Sequence, residues 1–555
     1  MAFSLHSIRL RVFPALCAGL VELTGTTATA AAAAPWVPDL QNGSYKNPVL
    51  YADYSDPDAI RVGDDFYLVS SSFSHVPGLP ILHSKDLVNW TLLSHALPGL
   101  TPKDHFSTPR PGEGVWAPAI RFHEGKFWIY YPDPDFGIYL ISASNPAGPW
   151  SQPIVVKAGK GLIDPCPFWD DDGKLYLIHG WALSRSGVSN RLTLVQLSED
   201  GTRFEGEEQI VVEGAKIKDW RTIEGPKLYK RNGYYYIFAP AGGVKTGWQA
   251  VFRSKSLFGP YENRIVMDQG STSVNGPHQG AWVDTPSGQD WFLHFQDADA
   301  YGRMVHLQPL AWKDDWPIIG EDPDGDGKGQ PVLTHAKPDV KPCPLAVPDT
   351  SDDFDGPQLA LSWQWQANPK PDWASLAASP GMLRLTCVPT PENFYQAPNL
   401  LLQKLPAPAF EVITELRLTS TELGDQAGLV VFGYDYAWVG LRNTQEGPKL
   451  FSVVRREAVK NASEIDTPLH RVEPGDKVAL RVRVREGASC EFAYSLDGKN
   501  FSDIKLVFQA RPSRWVGAKV GIFATSPLEK GGSSSGWADF SWFNIFALVS
   551  ATPSS

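Results

Sequence analysis

The chain of 555 residues is poor in cysteine. It contains five cysteines, and Cys17 lies in the N-terminal segment treated below. So few cysteines exclude a disulfide framework as the main source of stability, which must come from hydrophobic cores instead. A single bridge among Cys166, Cys343, Cys387 and Cys490 is compatible with the sequence, which does not select a pair.

Clusters of basic residues, long apolar runs and helical periodicity are also missing. The formal net charge is −11, so we expect no nucleic-acid partner. After the N-terminal segment no apolar run approaches the roughly 20 residues that a membrane span needs, so we expect no membrane partner. In contrast, 49 glycines, 47 prolines and 12% aromatic residues favour an all-β protein with many short strands and turns.

The N-terminal segment has the pattern of a secretory signal peptide. Arg9 and Arg11 precede an apolar run at 12–21, and an alanine-rich stretch with A-x-A cleavage choices follows. We therefore predict a signal peptide over residues 1–34 and a secreted, extracellular protein; the alternative is a short buried helix. In a secreted protein some N-x-[ST] sequons on exposed loops carry glycans, and four are present: Asn42, Asn89, Asn461 and Asn500.

One short phrase recurs five times in the first 300 residues. It starts at Asp56, Trp116, Asp164, Glu224 and Gln279. Each copy has an apolar residue four positions on, then a polar turn and an aromatic-rich run, which is typical of strand, tight turn and strand. The starts lie 60, 48, 60 and 55 residues apart, enough for four strands each, so we predict a five-bladed β-propeller. The turns contain Gly63, Gly125, Gly173, Gly233 and Gly288.

Three copies of the phrase begin with a carboxylate: Asp56, Asp164 and Glu224. The innermost strand of each propeller blade runs beside the central axis, so these side chains are expected to meet at one end of it. Burial and like charge separate the pKa values of converging carboxylates, as acid/base chemistry requires. The alternative is structural, because D-P and E-G-P are ordinary turn openings.

The composition changes after the fifth copy. Residues 321–350 are rich in Pro, Gly and Asp and are predicted to be a linker between the propeller domain, residues 35–320, and a second domain, residues 351–555. The second domain has short segments of alternating hydrophobicity separated by turn signals, which predict a β-sandwich.

Two acidic features of the C-terminal half resemble calcium ligands. The run from Asp322 to Gly327 lacks the acidic residue that closes a calcium loop, because Leu333 stands there, so we expect a solvated turn. Asp539, a lone acid in the last predicted strand, is expected at the surface.

A resemblance to glycoside hydrolase family 43 is carried by the phrases NPVLYADYSDPDAIRVGDDFYLVSSSF, WAPAIRFHEGKFWIYY, IDPCPFWDDDGKLYL and IEGPKLYKRNGYYYIF, in that order across roughly residues 45–320. The second domain, which opens DDFDGPQLALSWQW, resembles the C-terminal domain of the β-xylosidases of that family. The resemblance implies a five-bladed propeller followed by a concanavalin-like sandwich, and an inverting enzyme acting on xylans or arabinans.

Carried over by position, the resemblance makes Asp56 the general base and Glu224 the general acid. Asp164 becomes the residue that modulates the pKa of the acid and orients it. An inverting glycosidase needs two carboxyl groups about 6.5–9.5 Å apart, so that a water molecule fits between the base and the sugar.

Further residues are assigned by the same resemblance. Arg303 matches a position that binds hydroxyls of the terminal sugar, with a surface arginine as the alternative. Trp116 and Phe73 match aromatic positions that line the sugar pocket, although either ring could instead pack between blades. His278 matches a position that holds a divalent ion on the propeller axis in some relatives; calcium in a structural role is the expected ion, and a buried structural histidine is the alternative. No organic cofactor is expected.

The expected function is therefore the release of terminal β-D-xylose from hemicellulose-derived oligosaccharides. Three alternatives stay open at this point: an α-L-arabinofuranosidase acting on arabinoxylan or arabinan, which could be combined with xylosidase activity; a carbohydrate-binding protein that has lost catalysis; and a propeller that binds other proteins. The three intact carboxylates argue against the last two.

Overall fold

The computed structural model describes residues 34–527 and 535–548. Within these residues the chain forms two all-β domains, and the first contains five antiparallel four-stranded sheets with their strands in chain order. These sheets are the five blades of a propeller, which confirms the predicted fold class. The predicted signal peptide lies outside the described residues except for residue 34.

The propeller strands have the following bounds. Blade 1 contains β2 (Asp58–Val62), β3 (Asp65–Val69), β4 (Gly78–Ser84) and β5 (Trp90–Leu97). Blade 2 contains β6 (Ala119–His123), β7 (Lys126–Asp133), β8 (Gly137–Ala143) and β9 (Ile154–Ala158). Blade 3 contains β10 (Leu162–Trp169), β11 (Leu175–Trp181), β12 (Arg191–Gln196) and β13 (Gln209–Glu213). Blade 4 contains β14 (Lys227–Arg231), β15 (Tyr234–Ala241), β16 (Trp248–Ser254) and β17 (Glu262–Met267). Blade 5 contains β18 (His278–Asp284), β19 (Asp290–Asp297), β20 (Arg303–Lys313) and β21 (Trp316–Ile319).

Helical structure is limited to short pieces in the described part of the chain. The four-residue α1 (Leu183–Ser186) follows β11, and 3-10 turns are found at His105–Ser107, Gly214–Lys216, Asp299–Tyr301, Phe394–Gln396 and Ala458–Lys460. The segment predicted as a linker contains β22 (Thr334–Ala336), which pairs with β1 (Ser44–Lys46) ahead of the first blade.

Each blade begins with the hairpin that the repeated phrase predicts. The glycines of the five hairpin turns have φ between +64° and +82°. Side chains other than that of glycine disfavour this left-handed region. No atom of another described residue lies within 4 Å of the position that a Cβ would take, for example at Gly63 and Gly125. The backbone conformation, not close packing, therefore accounts for the repeated glycine.

The second domain is a sandwich of two sheets. One sheet contains β23 (Gln364–Trp365), β26 (Val388–Thr390), β27 (Leu401–Lys404), β29 (Gln426–Phe432), β30 (Tyr436–Thr444), β31 (Gly447–Arg455), β32 (Ile465–Arg471) and β36 (Lys519–Pro527). The other contains β24 (Ala374–Ser375), β25 (Leu383–Thr386), β28 (Phe410–Thr419), β33 (Val478–Arg485), β34 (Ser489–Ser495), β35 (Ser502–Gln509) and β37 (Trp537–Ala547). Strand β28 alternates strictly between buried and half-buried residues, because its two faces see the core and the outer surface in turn.

The sandwich packs directly against the propeller. Val76 and Trp365 exchange backbone hydrogen bonds of 3.0 and 2.6 Å across the two domains, and Ala518 N donates to Ala300 O at 2.7 Å. Ala300 and Tyr301 of the propeller also belong to the main hydrophobic core of the sandwich. The two domains therefore share a core, and residues of the second lie close to the axis of the first.

Asp539 is not at the surface, contrary to the expectation from sequence. It is 2% exposed. Its carboxylate accepts hydrogen bonds from Arg384 at 2.7 and 3.0 Å and from Arg417 at 3.3 Å. The two guanidinium groups hold the pKa of Asp539 below its ordinary value against the opposing effect of burial. The carboxylate is buried because cations from the two neighbouring strands compensate its charge.

The four sequons differ in their exposure to solvent. Asn89 is 3% exposed and donates to Asp86 and Asp39, so this sequon does not lie on an exposed loop, whereas Asn42, Asn461 and Asn500 are exposed. The four cysteines in the described residues are free thiols.

Asp322 accepts backbone hydrogen bonds from Gly325 and Gly327 in the expected turn. No helix in residues 34–527 or 535–548 has the length and apolar character needed to cross a membrane.

Candidate active site

One cavity of about 550 Å³ lies at the end of the propeller axis where the repeated phrases begin. The structure places the seven residues singled out from the sequence in the lining of this cavity: Asp56, Phe73, Trp116, Asp164, Glu224, His278 and Arg303. Gln279, the first residue of the fifth phrase, is also there. The repeat places equivalent positions of all five blades around one space, although they are spread over more than 200 residues of sequence.

Asp56 is surrounded by hydrogen-bond donors. Its Oδ2 accepts from Ser55 Oγ at 2.7 Å and from Ser71 Oγ at 2.6 Å, and Arg303 Nη1 donates to Oδ1 at 3.0 Å. The side chain is nearly buried, and its backbone has φ = +53°. Hydroxyl and guanidinium donors stabilise the anionic form of a carboxyl group. Asp56 is therefore held in place by two hydroxyl groups and one guanidinium, in a position from which a general base could act on a water molecule in the cavity.

Asp164 is the most enclosed of the three carboxyl groups. It is 4% exposed, and its Oδ2 accepts a hydrogen bond of 2.7 Å from the backbone N–H of Gly225, the residue after Glu224. Burial, followed by the negative charge of Glu224, raises the pKa of Asp164 to about 8. Because two neighbouring carboxyl groups titrate as one unit, the Asp164–Glu224 pair retains a proton at neutral pH.

Both carboxyl groups line the cavity, and Glu224 is the more exposed of the two. Its side chain is 25% exposed, whereas Asp164 is 4% exposed. His278 Nε2 lies 2.9 Å from Glu224 Oε1, and this contact fixes one carboxylate oxygen and leaves the other for a bound molecule. A proton held by the pair can therefore be delivered to an atom in the cavity through Glu224.

Arg303 is not a surface arginine, which was the alternative left open by the sequence. It is 8% exposed, and its guanidinium lies over the Phe295 ring at 4.8 Å. Nη1 binds Asp56 and Ser55, while Nε and Nη2 make no hydrogen bond to another described residue. These free N–H groups are suited to bind hydroxyl groups of a ligand, because a guanidinium has five donors in a fixed plane.

The aromatic residues form one wall of the cavity. Phe73 is 3% exposed and meets Trp116 edge-on at 6.3 Å between ring centroids. Trp116 is half-buried and is held by a hydrogen bond of 3.0 Å from its Nε1 to Gly112 O. Trp116 therefore presents part of its ring to the cavity, whereas Phe73 mainly supports it.

The sandwich domain contributes two residues that the sequence reasoning missed. Arg514 and Trp515 lie between β35 and β36 and line the same cavity. The Trp515 ring meets Trp116 at 6.1 Å and lies 5.8 Å from the Arg303 guanidinium. The signal in the sequence is weak: an exposed tryptophan in the turn ARPSRWVGAK, about 200 residues after the last propeller strand. Trp181, from β11, is a further aromatic side chain of the lining that was not singled out.

His278 is the residue predicted to hold a divalent ion on the propeller axis. Its Nε2 faces Glu224, and among the described residues its buried Nδ1 has no hydrogen-bond partner. The described residues contain no group of three or more His, Cys, Asp or Glu side chains that could hold a metal ion. Calcium prefers oxygen donors, so the protein would supply one imidazole and water molecules would supply the remaining ligands. The calcium ion therefore stays a prediction, and the contact that the structure does show is the one by which His278 positions Glu224.

Comparison with known proteins identifies both domains. Residues 45–317 match the model of glycosyl hydrolases family 43, and residues 351–545 match the β-xylosidase C-terminal concanavalin A-like domain. The chain is 38% identical over 498 residues to a protein of Xylanibacter ruminicola named putative β-xylosidase, covering 88% of this chain and 87% of that protein. It is 28% identical to the non-reducing end α-L-arabinofuranosidase of Bacteroides ovatus, covering 92% of this chain and 96% of that protein.

A solved structure gives the same result for the complete architecture. The xylan β-1,4-xylosidase from Bacillus halodurans superposes with a TM-score of 0.80 at 27% identity, covering 90% of this chain and 99% of the other. The chain therefore belongs to glycosyl hydrolases family 43 and is a glycoside hydrolase of the β-xylosidase/arabinosidase type, built from a five-bladed propeller and a concanavalin A-like sandwich.

Proposed function

We propose that this glycoside hydrolase is an inverting, exo-acting β-D-xylosidase that releases terminal xylose from xylo-oligosaccharides. The observation that carries the proposal is the position of Trp515, a sandwich residue that lines the same cavity as Asp56, Asp164 and Glu224. The second domain thus limits one side of a cavity that would otherwise be open across the end of the propeller. A cavity limited in this way favours binding of the end of a sugar chain over binding of an internal sugar of a polymer.

The proposed reaction uses the three carboxyl groups in different roles. Asp56 takes a proton from a water molecule whose oxygen attacks the anomeric carbon. The bond from that carbon to the leaving oxygen breaks, its electron pair stays on the oxygen, and Glu224 supplies the proton. Asp164 keeps that proton on the pair before the reaction, because the two groups are not readily ionised together. Attack by water on the face opposite the leaving group inverts the configuration.

Binding groups around the carboxylates support a pentose as the terminal sugar. The free N–H groups of Arg303 lie beside Asp56 and can donate to sugar hydroxyls. The rings of Trp116 and Trp515 form an apolar wall on which a sugar face can stack. A ring without a hydroxymethyl group requires less space at such a wall than a hexose.

An α-L-arabinofuranosidase, alone or combined with xylosidase activity, is the second candidate. The observation in its favour is the similarity to the Bacteroides ovatus relative of that name, which extends through both domains. Xylose and arabinose present similar hydroxyl groups, so one pocket can accept both.

The test is sugar release from xylobiose and from arabinan-derived and arabinoxylan-derived oligosaccharides, compared side by side with NMR observation of the anomer first formed. Xylose that is released from xylobiose and detected first as its α-anomer is the expected result. A β-anomer detected first would overturn the inverting mechanism, and a preference for arabinose would favour the second candidate.

We also propose that the protein is secreted, which would bring it into contact with polysaccharide fragments outside the cell. The support is the sequence pattern of residues 1–34. N-terminal sequencing of protein recovered from the culture medium is expected to begin at or near residue 35. Protein that stays in the cells and begins at Met1 would contradict the proposal. Glycans, if attached, are expected at the exposed Asn42, Asn461 or Asn500 and not at Asn89.

A further inference from the structure

A small cavity of about 20 Å³ lies between the propeller and the sandwich, next to the candidate active site. Phe73 separates the two spaces, since it lines both, and Arg514 likewise lines both. The side chains of Lys519, His75 and Arg514 lie in the wall of the small cavity, and the described residues that line it include no carboxylate. The cavity therefore has an excess of groups that can be positively charged.

Lys519 lacks any partner for its ammonium group within the described residues. It is 3% exposed, yet it forms no ion pair and no side-chain hydrogen bond there. An ammonium group removed from water without compensation is costly, and buried charges in proteins are normally paired. The burial lowers the pKa of Lys519 to about 7, and the nearby positive charge of Lys404 acts in the same direction.

The surrounding charges do not compensate Lys519. Lys404 lies directly opposite it in the register of β27 and β36, so two lysines share this part of the interface. The carboxylate whose negative charge acts on both lysines is that of Asp53. Its two oxygens already accept hydrogen bonds from the backbone N–H groups of Arg303 and Gly517, at 2.9 and 3.0 Å. Two ammonium groups therefore face one carboxylate that is engaged elsewhere.

His75 adds a second buried nitrogen group to the cavity wall. It is 8% exposed, and its Nδ1 lies 3.3 Å from Ser72 O. Burial and the charges of Lys519 and Lys404 hold the pKa of His75 well below its ordinary value. A negative charge in the cavity would oppose the effect of the two lysine charges on the pKa of His75. Binding of an anion would thus favour the protonated form of His75 and would strengthen as the pH falls.

We propose that this interdomain cavity is a binding site for a monatomic anion, chloride in particular, held by Lys519 with His75 and Arg514. The volume decides the class of ligand. It is sufficient for a particle of about the size of one water molecule and favours a monatomic anion over sulfate, phosphate or a carboxylate. The anion supplies the missing countercharge of Lys519 and joins the sandwich turn with Trp515 to the propeller segment with Phe73.

The first experiment is crystallographic and uses bromide as the probe. Crystals of the wild-type protein grown without chloride are soaked in sodium bromide at pH 5.5, and anomalous difference density is measured at the bromine edge. A peak in the cavity within about 3.5 Å of Lys519 Nζ is expected. A cavity without a bromide peak would overturn the proposal, because water would then be its occupant.

The second experiment measures thermal unfolding in solution. Sodium chloride replaces sodium gluconate at constant ionic strength, and we expect a saturable rise in Tm of about 2–4 °C at pH 5.5 that is smaller at pH 8. Lys519→Met is expected to abolish the rise. Lys404→Met is the matched control, because Lys404 is the neighbouring interface lysine but does not line this cavity. It is expected to retain a saturable rise in Tm with chloride, although the pH dependence of the rise can differ because the charge of Lys404 acts on Lys519 and His75.

The results contradict the proposal if the wild-type Tm does not depend on chloride, or if Lys519→Met retains the wild-type response. If Lys519→Met does not fold, the bromide experiment on the wild-type protein decides the question. Neither experiment depends on which sugar the enzyme releases.

Discussion

Replacement of Asp164 by asparagine separates its charge from its position. Asp164 has φ = +55°, a conformation that asparagine tolerates better than most residues. The amide oxygen of asparagine can still accept the hydrogen bond from Gly225 N. Asp164→Asn therefore removes a titratable group next to Glu224 and leaves the backbone and its hydrogen bond in place.

The size of the expected change in the pH profile follows from the raised pKa of Asp164, which is about 8 against an ordinary value of 3.8. Burial is the largest cause, and the negative charges of Glu224 and Asp56 add to it, against the opposing effects of the Gly225 hydrogen bond and the Lys227 charge. A charged neighbour at close range commonly shifts a carboxyl pKa by about 1–3 units. Without Asp164 the pair loses one negative charge, so its catalytic proton is lost at lower pH. The alkaline limb of the pH profile of kcat/KM should move down by about 1–3 units.

The same substitution has a definite sign for stability. A raised carboxyl pKa means that the folded state binds the proton more tightly than the unfolded state, so wild-type stability falls as the pH rises from about 4 to about 8. The Asp164→Asn variant has no carboxyl group at this position, so it does not lose stability in this way as the pH rises. A single unit of pKa shift corresponds to about 1.4 kcal/mol, so in a chain of this size the variant should gain at least about 1 °C in Tm over wild type at pH 8 and less at pH 4.

The assay compares two substrates across pH 4 to 9. Xylobiose needs a proton on its leaving oxygen, and an aryl xyloside with a dinitrophenolate leaving group does not, so the alkaline limb should move for xylobiose and be weak for the aryl xyloside. Asp171→Asn is the control, because Asp171 is 86% exposed in the hairpin of the same blade. An unmoved limb together with an unchanged Tm at pH 8 would refute the proposed coupling of Asp164 and Glu224.

Three further substitutions test the other roles. Glu224→Gln should lower kcat on xylobiose by about 10²–10⁴-fold but spare dinitrophenyl xyloside, and equal losses on both would mean that Glu224 is structural. Asp56→Asn should abolish turnover of both substrates, because no group remains to activate water; retained activity, measured on freshly purified protein, would remove Asp56 from the mechanism. Trp515→Ala should lower kcat/KM for xylobiose about fivefold, equivalent to about 1 kcal/mol for a lost aromatic contact, while unchanged kinetics would exclude contact with substrate.

Much of the propeller follows from local patterns. The turn glycines and the aromatic runs recur in each blade, and both are decided by residues a few positions apart. The recurrence also aligns Asp56, Asp164 and Glu224, because equal positions in equal blades must face the same axis. The meeting of these three carboxylates was therefore predictable before any tertiary contact was known.

The tertiary contacts, within and between the domains, were not predictable in this way. Trp515 reaches Trp116 across about 400 residues of sequence, and no repeat or periodicity relates the two positions. Asp539 was expected at the surface because a lone acid in a strand has no local partner, yet Arg384 and Arg417 on neighbouring strands bury it. Asn89 likewise has the sequence of an exposed sequon but lies buried against Asp86 and Asp39.

The sequence by itself thus determined the blades, the sandwich and the axial carboxylates, since these depend on alternation, turn chemistry and repetition along the chain. The tertiary structure alone decided how the sandwich limits the active-site cavity, how the charge of Asp539 is compensated, and where Lys519 is left without a partner among the described residues. The physical reason is that the cost of burying a charge or a ring depends on which distant groups surround it, and a linear pattern does not specify those groups.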